Sequence, residues 1–478
     1  MASKNTVTTD NLVALGAERL AALLVAVAGE HADIKRRLRL ELAGESGPEI
    51  VAAQIGKRLT TLRSARSFVD WEKRREFVRD LDLQRTMIAD RLAETRPDLA
   101  LDLMWRFMDL AEPVLNRVDD SNGSVSNVFR TACADLGPLA ARAKPDPERL
   151  AERVLAAVTT NEYGAFDGLV PAIFPALGEV GVASLKARLT AALAVRPRTD
   201  RYDVKASALL HALQDLADGE GDVDAYVALV PAQARTRPGV AAEIGARLLA
   251  AGRAEEALAV LEAARPTKRS RRIEMDDAFE LGWDGPDAHW EGVHIDALVA
   301  TGQVERAQQA RWAAFEERLS VERLRAYLKV LPDFDDDLAE EKAMEHALGF
   351  RSFPMALHFF HGWPEPRRGA QLVLARHAEI DGNLYYLLDP AARWLEGAHP
   401  LAATLLRRAM IEDTLDGAKS TRYRHAARHL AECRSLASAI GDYGLFETHH
   451  AFAAHMRAKH GRKAGFWSQV AETGGLTE

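Results

Sequence analysis

The chain has 478 residues, a formal net charge of −8 at pH 7 and two cysteines. This charge gives no support to a nucleic-acid-binding protein, because such proteins usually carry a strongly basic balance. Cys133 and Cys433 are 300 residues apart (433 − 133), which argues against a disulfide framework and against a thiolate zinc cluster. The cysteine content therefore favours a reducing compartment.

The N-terminal region predicts neither a membrane span nor a signal peptide. Its most apolar run, LAALLVAVA at residues 20–28, has nine residues, about half of what a bilayer span needs. The residues before it lack the charged region and the small-residue cleavage site of a secretory signal. We therefore expect a cytoplasmic protein without a membrane partner.

Apolar residues recur at helical spacing along most of the chain. The first such stripe predicts one amphipathic helix, and its members are Leu12, Leu15, Leu20, Leu23, Leu24 and Val27. Capping residues or proline precede an acidic first turn at residues 47–49, 146–148 and 320–322, which predicts a helix start at each. No comparable run alternates β-branched with polar residues. The sequence therefore predicts an all-α fold.

The segment GRAEEALAVLEAARP, residues 252–266, is typical of the second helix of a tetratricopeptide repeat. When Pro238 is position one, Gly245 and Ala257 occupy two of the small positions of that repeat. A weaker copy begins near Ala288, 50 residues after the first (288 − 238), whereas the usual period is about 34 residues. The two copies predict helical hairpins separated by an insertion.

Residues 169–189, LVPAIFPALGEVGVASLKARL, carry the proline and glycine punctuation of a HEAT-like hairpin. Together with the tetratricopeptide-like segments, this predicts an irregular α-solenoid of helical hairpins. Candidate linkers lie at residues 141–148, 196–200, 218–222 and 361–369. They predict an N-terminal helical block (1–145), a middle helical-repeat solenoid (146–330) and a C-terminal helical block (331–478).

Several long segments resemble a family of uncharacterised bacterial proteins, common in proteobacteria. They are AHWEGVHIDALVATGQVERAQQARWAAFEERLSVERLRAYLKVLPDFDDDLAEEKA, DGNLYYLLDPAARWLEGAHPLAATLLRRAMIEDTL and RYRHAARHLAECRSL. The N-terminal NLVALGAERLAALLVAVA and IKRRLRLELA are similar to the opening of that family. The resemblance covers nearly the whole chain and implies a helical fold. Because the family has no established activity, the resemblance implies no catalytic residues.

Histidines are concentrated in the last third of the chain, where His425 and His429 lie four residues apart. Such a pair shares one helix face and can bind zinc, but a useful site needs a third ligand and usually a positioned acid, which this sequence does not supply in a recognisable motif. We therefore predict no metal and no cofactor. With Arg422 and Tyr423, the two histidines are instead candidates to line a small-ligand or enzymatic pocket.

The architecture favours a protein- or peptide-interaction scaffold with an unidentified partner. Trp283, Trp290 and Arg311 are candidate partner-binding residues, because aromatic and arginine side chains supply much of the binding energy at interfaces. Packing in the core is the competing interpretation of each tryptophan. No nucleophile elbow, phosphate loop or dinucleotide fingerprint occurs, so no catalytic residue is predicted and the absence of enzyme activity is favoured. A nucleic-acid adaptor is the third and least favoured hypothesis.

Overall fold

The computed structural model describes residues 6–31, 34–35, 38–39, 42, 47–196, 203–266 and 288–473. In these ranges the regular secondary structure is helical, which confirms the all-α prediction. An isolated bridge joins Val69 and Val118. The chain divides into two compact units, Met1–Pro231 and Ala232–Glu478. The predicted boundaries after residues 145 and 330 therefore fall inside these units.

The first unit consists of helices whose starts follow the predicted signals. At residue 146 the Asp146 carboxylate accepts a hydrogen bond from the backbone N–H of Arg149 at 2.9 Å, and Pro147 occupies the first helical position. A π-helical turn, Met87–Leu92, and the short helix Ala93–Thr95 extend the fourth helix. The helices are α1 (Thr9–Val13), α2 (Ala17–Glu30), α3 (Pro48–Ser64), α4 (Trp71–Thr86), α5 (Pro97–Met108), α6 (Ala111–Leu115), α7 (Ser124–Ala143), α8 (Pro147–Thr159), α9 (Leu169–Ala194), α10 (Val204–Glu220) and α11 (Val223–Leu229).

One apolar core runs through this unit from α3 to α10. It includes Ile55, Phe107, Phe129, Ile173 and Leu216, each completely buried. Burial of a side chain of this size contributes about 1.5–3 kcal/mol before the entropy of ordering is subtracted. The core therefore accounts for the cohesion of the helices that contribute to it.

One expectation for the first unit is wrong in detail. The predicted N-terminal helix is two helices, because Gly16 has a positive φ of 81° between α1 and α2. Its apolar stripe is not buried as a core would be: Leu23 and Leu24 are each 47% exposed. In the segment predicted as a HEAT-like hairpin, the helical course of α9 is interrupted at the non-helical Gly178, and the HEAT-like arrangement stays a prediction.

Among the described residues, α9 is the helix long and apolar enough to cross a membrane by length and composition. Of its most apolar 18-residue window, 39% is buried inside the protein. Leu169, Ile173, Leu177 and Leu185 of α9 belong to the core of the unit. The apolar composition of α9 is thus explained in part by packing against other helices.

The second unit has further helices, including two hairpins where the tetratricopeptide-like segments lie. Gly252 and Gly302 end the first helix of each hairpin with φ of 75° and 71°. In both turns the following N–H, of Arg253 or Gln303, donates to a carbonyl five residues earlier, at 2.8 Å. The helices are α12 (Pro238–Ala250), α13 (Ala254–Ala263), α14 (Ala288–Ala300), α15 (Val304–Arg318), α16 (Val321–Leu328), α17 (Asp335–Leu348), α18 (Phe353–Gly362), α19 (Pro366–Ala375), α20 (Tyr385–Leu395), α21 (Pro400–Asp416), α22 (Tyr423–Leu436), α23 (His449–His460) and α24 (Ala464–Glu472).

Two apolar clusters organise the C-terminal half of this unit. One extends from Phe315 to Met410 and crosses the predicted boundary after residue 330. The other joins Ile411 on α21 to α22, α23 and α24, with Phe466 completely buried. Helix α21 contributes to both clusters. It therefore holds α20 and α22 on a common support, which places their polar faces beside each other.

Candidate functional site

A cavity of about 440 Å³ lies among α20, α21 and α22, and we call it the C-terminal cavity. Its volume is in the range of small-molecule sites, about 300–1,000 Å³. Its lining combines apolar, aromatic and charged side chains: Gly382, Tyr385, Asp389, Arg393, Met410, Thr414, Thr421, Arg422, His425, Ala426, Arg428 and His429.

Helix α20 supplies one wall because of the four-residue spacing of its polar side chains. Tyr385, Asp389 and Arg393 follow one another at i, i+4 and i+8, so they share one face of the helix. Leu388 and Leu395 are buried in the neighbouring apolar cluster. The amphipathic pattern of α20 thus directs its polar face to the cavity.

The turn before α20 is held tightly against α21. A Cβ atom on Gly382 would lie 2.0 Å from the carbonyl oxygen of Ala409, so only glycine fits there without a shift of the backbone. Next to it, the Asn383 side-chain oxygen accepts hydrogen bonds from Arg422 Nη1 at 3.1 Å and Lys419 Nζ at 2.9 Å. This turn fixes the start of α20 and the position of the Arg422 guanidinium.

The cavity lining has an excess of positive charge. Three guanidinium groups, of Arg393, Arg422 and Arg428, face one carboxylate, Asp389, which gives +2 when arginine and aspartate are counted (3 − 1). Arg393 pairs with Asp389 at 2.5 Å, whereas Arg428 is 3.8 Å from the same carboxylate. Arg422 bonds the neutral Asn383 and lies over the ring of Tyr385, 4.6 Å from its centroid.

His429 is buried on the inner side of the cavity and belongs to a chain of hydrogen bonds. Its Nδ1 is 3.0 Å from Glu432 Oε2, and Arg407 Nε donates to the same oxygen at 2.9 Å. Arg407 is 1% exposed and also donates to Glu396 at 2.5 Å. The buried Arg407 therefore fixes Glu432, and Glu432 fixes the ring of His429.

The electrostatics of this chain keep Glu432 ionised and His429 neutral. Burial opposes the charged form of Glu432, but hydrogen bonds from His429 and Arg407 lower the pKa of its carboxyl group below the usual value. Burial lowers the pKa of His429, although Glu432 and Asp389 act in the opposite direction. At neutral pH the His429 ring then donates its Nδ1 proton to Glu432 and turns the lone pair of Nε2 outward.

Asp389, His429 and Glu432 bring one ligand atom each within 4.8 Å of one another, which is close enough for a metal ion. Arg407 and Arg393 already hydrogen-bond the two carboxylates, and Arg428 lies within 3.8 Å of both. These guanidinium charges offset the attraction that a divalent cation would need. The arrangement is better suited to an anion beside the histidine than to a cation among the carboxylates.

Three of the four residues predicted for a ligand pocket come together here, namely Arg422, His425 and His429. Tyr423 does not line the cavity. Its ring meets Phe466 edge-on at a centroid distance of 6.0 Å, on the side of α22 that packs against α24. The ring of Tyr423 is therefore used in packing α22 against α24, whereas Arg422, just before α22, faces the cavity.

The residues predicted for partner binding lie elsewhere in the second unit. Trp290 is 4% exposed, and its indole N–H donates to the carbonyl of Leu261 at 3.1 Å. It lines a separate cavity of about 420 Å³, the α14–α15 cavity. Arg311 is half-buried and donates to Gln308 at 2.7 Å. Trp283 lies outside the described residues.

Sequence reasoning missed the α20 wall and the support behind His429. Tyr385, Asp389 and Arg393 do carry a detectable signal, since polar and aromatic residues recur there every four positions. Arg407 and Glu432 carry none: an arginine inside a helical sequence is usually exposed. Only the packing of α21 against α22 makes Arg407 a buried residue.

Comparisons with known proteins place the chain without assigning it an activity. No curated protein and no solved structure matches it. The model of a family of unknown function, DUF6880, matches residues 2–469. The predicted resemblance to an uncharacterised family is thus confirmed over nearly the whole chain, and the protein belongs to the family of unknown function DUF6880.

Proposed function

We propose that this protein binds a small organic anion in the C-terminal cavity. The observation that carries the proposal is the net positive lining of an apolar-floored cavity of about 440 Å³. Arginine is well suited to bind carboxylate and phosphate, because its planar fork donates two parallel hydrogen bonds. Arg393 and Arg428 both lie beside Asp389, and Arg428 is also 3.5 Å from Glu432, whereas Arg422 bonds the neutral Asn383.

The apolar part of the lining indicates the body of the ligand. Tyr385 is 52% exposed, and Met410 and Ala426 are buried in the floor. An aromatic side chain beside arginine can stack a planar group while the guanidinium holds its acidic substituent. We therefore expect an anion with a small apolar or aromatic body, held at its acidic end by Arg422 and Arg428.

The experiment is a titration of the full-length protein with phenyl phosphate and with benzenesulfonate. Binding is monitored by ¹H–¹⁵N spectra and by calorimetry. Benzyl alcohol has the same ring without the charge and serves as the control ligand. We expect both anions to bind, the alcohol not to bind, and salt to weaken binding. If neither anion binds the folded protein, the proposal is wrong.

A matched pair of variants locates the site. Arg422→Met removes one guanidinium of the C-terminal cavity, and Arg306→Met makes the same change in the α14–α15 cavity. Loss of one charge-assisted contact is worth about 1.5–3 kcal/mol, so the Arg422 variant should bind about ten times more weakly or worse. Equal weakening in both variants would contradict the assignment to the C-terminal cavity.

The interaction-scaffold hypothesis, the tetratricopeptide-like solenoid and the cytoplasmic location remain predictions. Both cysteines are buried free thiols, which agrees with a reducing compartment. The indole N–H of Trp290, on α14, donates to the carbonyl of Leu261, on α13 of the preceding hairpin, so a partner surface there would have to use other side chains. If the anion titration fails, a protein or peptide partner becomes the favoured function.

A further inference from the structure

We propose that His429 is the proton-accepting group of the C-terminal cavity, and that an anion binds there together with a proton. The inference rests on the proposed function and deepens it. It assigns proton uptake on anion binding to one ring nitrogen, Nε2 of His429. Anion binding and proton uptake would then be one event.

The geometry gives the two ring nitrogens of His429 different roles. Nδ1 is occupied by Glu432, at 3.0 Å. Within the described part of the chain, Nε2 makes no hydrogen bond to the protein. It is also not one of the buried polar atoms without a partner, so it is accessible from the cavity. Because His429 lines the cavity, Nε2 is the nitrogen available to a ligand. A neutral ring held in this way offers an acceptor, and a protonated ring offers a donor.

The charged groups around His429 come from three helices. Its own helix, α22, supplies His425, Arg428 and Glu432, whereas Asp389 and Arg393 come from α20 and Arg407 comes from α21. Helix α24 contacts α22 through the rings of Tyr423 and Phe466.

Burial lowers the pKa of His429 more than Glu432 and Asp389 raise it, so the ring is neutral at pH 7. An anion at Nε2 adds a second negative neighbour and a hydrogen-bond acceptor, and both favour the imidazolium. The ring would then be held between Glu432 and the anion. The remaining guanidinium groups, including Arg422 and Arg428, contact the anion directly rather than the ring.

His294 provides an internal comparison in the α14–α15 cavity. It is also buried, and burial lowers its pKa, as does the charge of Arg265. The nearest carboxylate oxygen, on Glu262, is 3.9 Å from its Nε2, and that carboxylate is hydrogen-bonded by Arg306. Glu262 favours the protonated ring of His294 as Glu432 favours that of His429, but from a longer distance, 3.9 Å compared with 3.0 Å.

The test is calorimetry of benzenesulfonate binding at pH 7.5 in two amine buffers of different ionisation enthalpy, Tris and triethanolamine. The charge of benzenesulfonate does not change in this pH range, so any proton exchanged belongs to the protein. We expect a buffer-dependent heat equivalent to uptake of a fraction of a proton for each anion bound. His429→Asn, whose amide can still donate to Glu432, should bind without proton uptake, and His294→Asn should behave like the parent protein.

A second measurement covers the case in which His429→Asn does not fold. In the unaltered protein the affinity for benzenesulfonate should rise several-fold as the pH falls from 8 to 6, because protonation and binding favour each other. Binding with the same heat in both buffers and no pH dependence would overturn the role of His429 and leave the anion site intact. Proton uptake that persists in His429→Asn would also overturn it. The absence of any binding would overturn the proposed function itself.

Discussion

The two cavities of the second unit have nearly the same volume, about 420 and 440 Å³, but the summed formal charge of their linings differs. Among the described residues, the lining of the α14–α15 cavity carries Arg265 and Arg306 against Glu291 and Glu317, so their formal charges sum to zero (2 − 2). The C-terminal cavity carries +2. The two cavities therefore differ in the charge of their linings and not in their volumes.

The difference extends to the burial of the ion pairs. Arg306 of the α14–α15 cavity bonds Glu262, and both side chains are more than one third exposed. In the C-terminal cavity the fully buried Arg407 supports Glu432 behind His429. A pair near the surface adds little to stability, whereas a buried guanidinium has to be paired to be tolerated. The α14–α15 cavity also has a buried pair, because Arg318 donates to the Glu291 carboxylate. The contrast in burial therefore holds for the Arg306 and Arg407 pairs and not for the two cavities as a whole.

Gly382→Ala should have the largest effect on the C-terminal cavity. The new Cβ would lie 2.0 Å from the Ala409 carbonyl oxygen, so the turn before α20 must move away from α21. We expect a loss of about 3 kcal/mol in the free energy of unfolding and a loss of anion binding. Gly397→Ala is the control, because its Cβ would meet no atom within 4 Å. Equal stability of the two variants in denaturant titration would show that the turn is not tightly packed.

Arg407→Met should have the next largest effect. The substitution keeps the length of the side chain but leaves Glu432 and Glu396 without their shared cation. Fully buried pairs cost about 3–5 kcal/mol when one partner is removed. We expect about 2 kcal/mol here, because the Glu432 side chain is 31% exposed and can be partly hydrated.

Arg306→Met is the matched control for this variant, with an expected cost below about 1 kcal/mol because its pair is exposed. Urea unfolding of the two variants measures the difference. A similar loss of unfolding free energy in both variants would mean that burial of an ion pair does not determine its contribution to stability. A larger cost at Arg306 would reverse the comparison.

The sequence predicts one half of the C-terminal cavity and not the other. His425 and His429 lie four residues apart on α22 and Arg422 directly precedes this helix, so their proximity is visible in the segment RYRHAARHL. Asp389 and Arg393 lie on α20, some 30 residues earlier, and only the packing of α20 and α22 on α21 brings them to the same cavity. Helical periodicity predicts which residues share one face of a helix, but it does not predict which other helix packs against that face.

The same limit explains the residues that sequence reasoning placed wrongly or left unresolved. Apolar periodicity predicts α2 as an amphipathic helix, yet within the described ranges no helix covers Leu23 or Leu24 enough to bury them. A tryptophan side chain suits an interface as well as a core. Trp290 is buried, and its indole N–H donates to the carbonyl of Leu261. The helix starts were easier to predict, because caps such as Asp146 and Ser320 act within one turn.

The smallest effect, and the one that sharpens the comparison most, is the pH dependence of stability. Burial lowers the pKa of His429 and of His294 in the folded protein, whereas an unfolded histidine has a pKa of about 6.5. The unfolded chain then binds more protons below that value, so the free energy of unfolding should fall as the pH drops from 7 to 5. His294→Asn and His429→Asn should each reduce this slope.

Benzenesulfonate should separate the two histidines in the same experiment. If an anion raises the pKa of His429 in the folded protein, the ligand removes the acid sensitivity that this residue contributes and leaves that of His294 in place. Thermal or urea unfolding at pH 5, 6 and 7, with and without benzenesulfonate, measures the change. The ligand should flatten the pH slope of the parent protein and of His294→Asn, but not that of His429→Asn. Flattening in all three would assign the effect to anion binding in general, and the distinction between the two cavities would then rest on charge pairing alone.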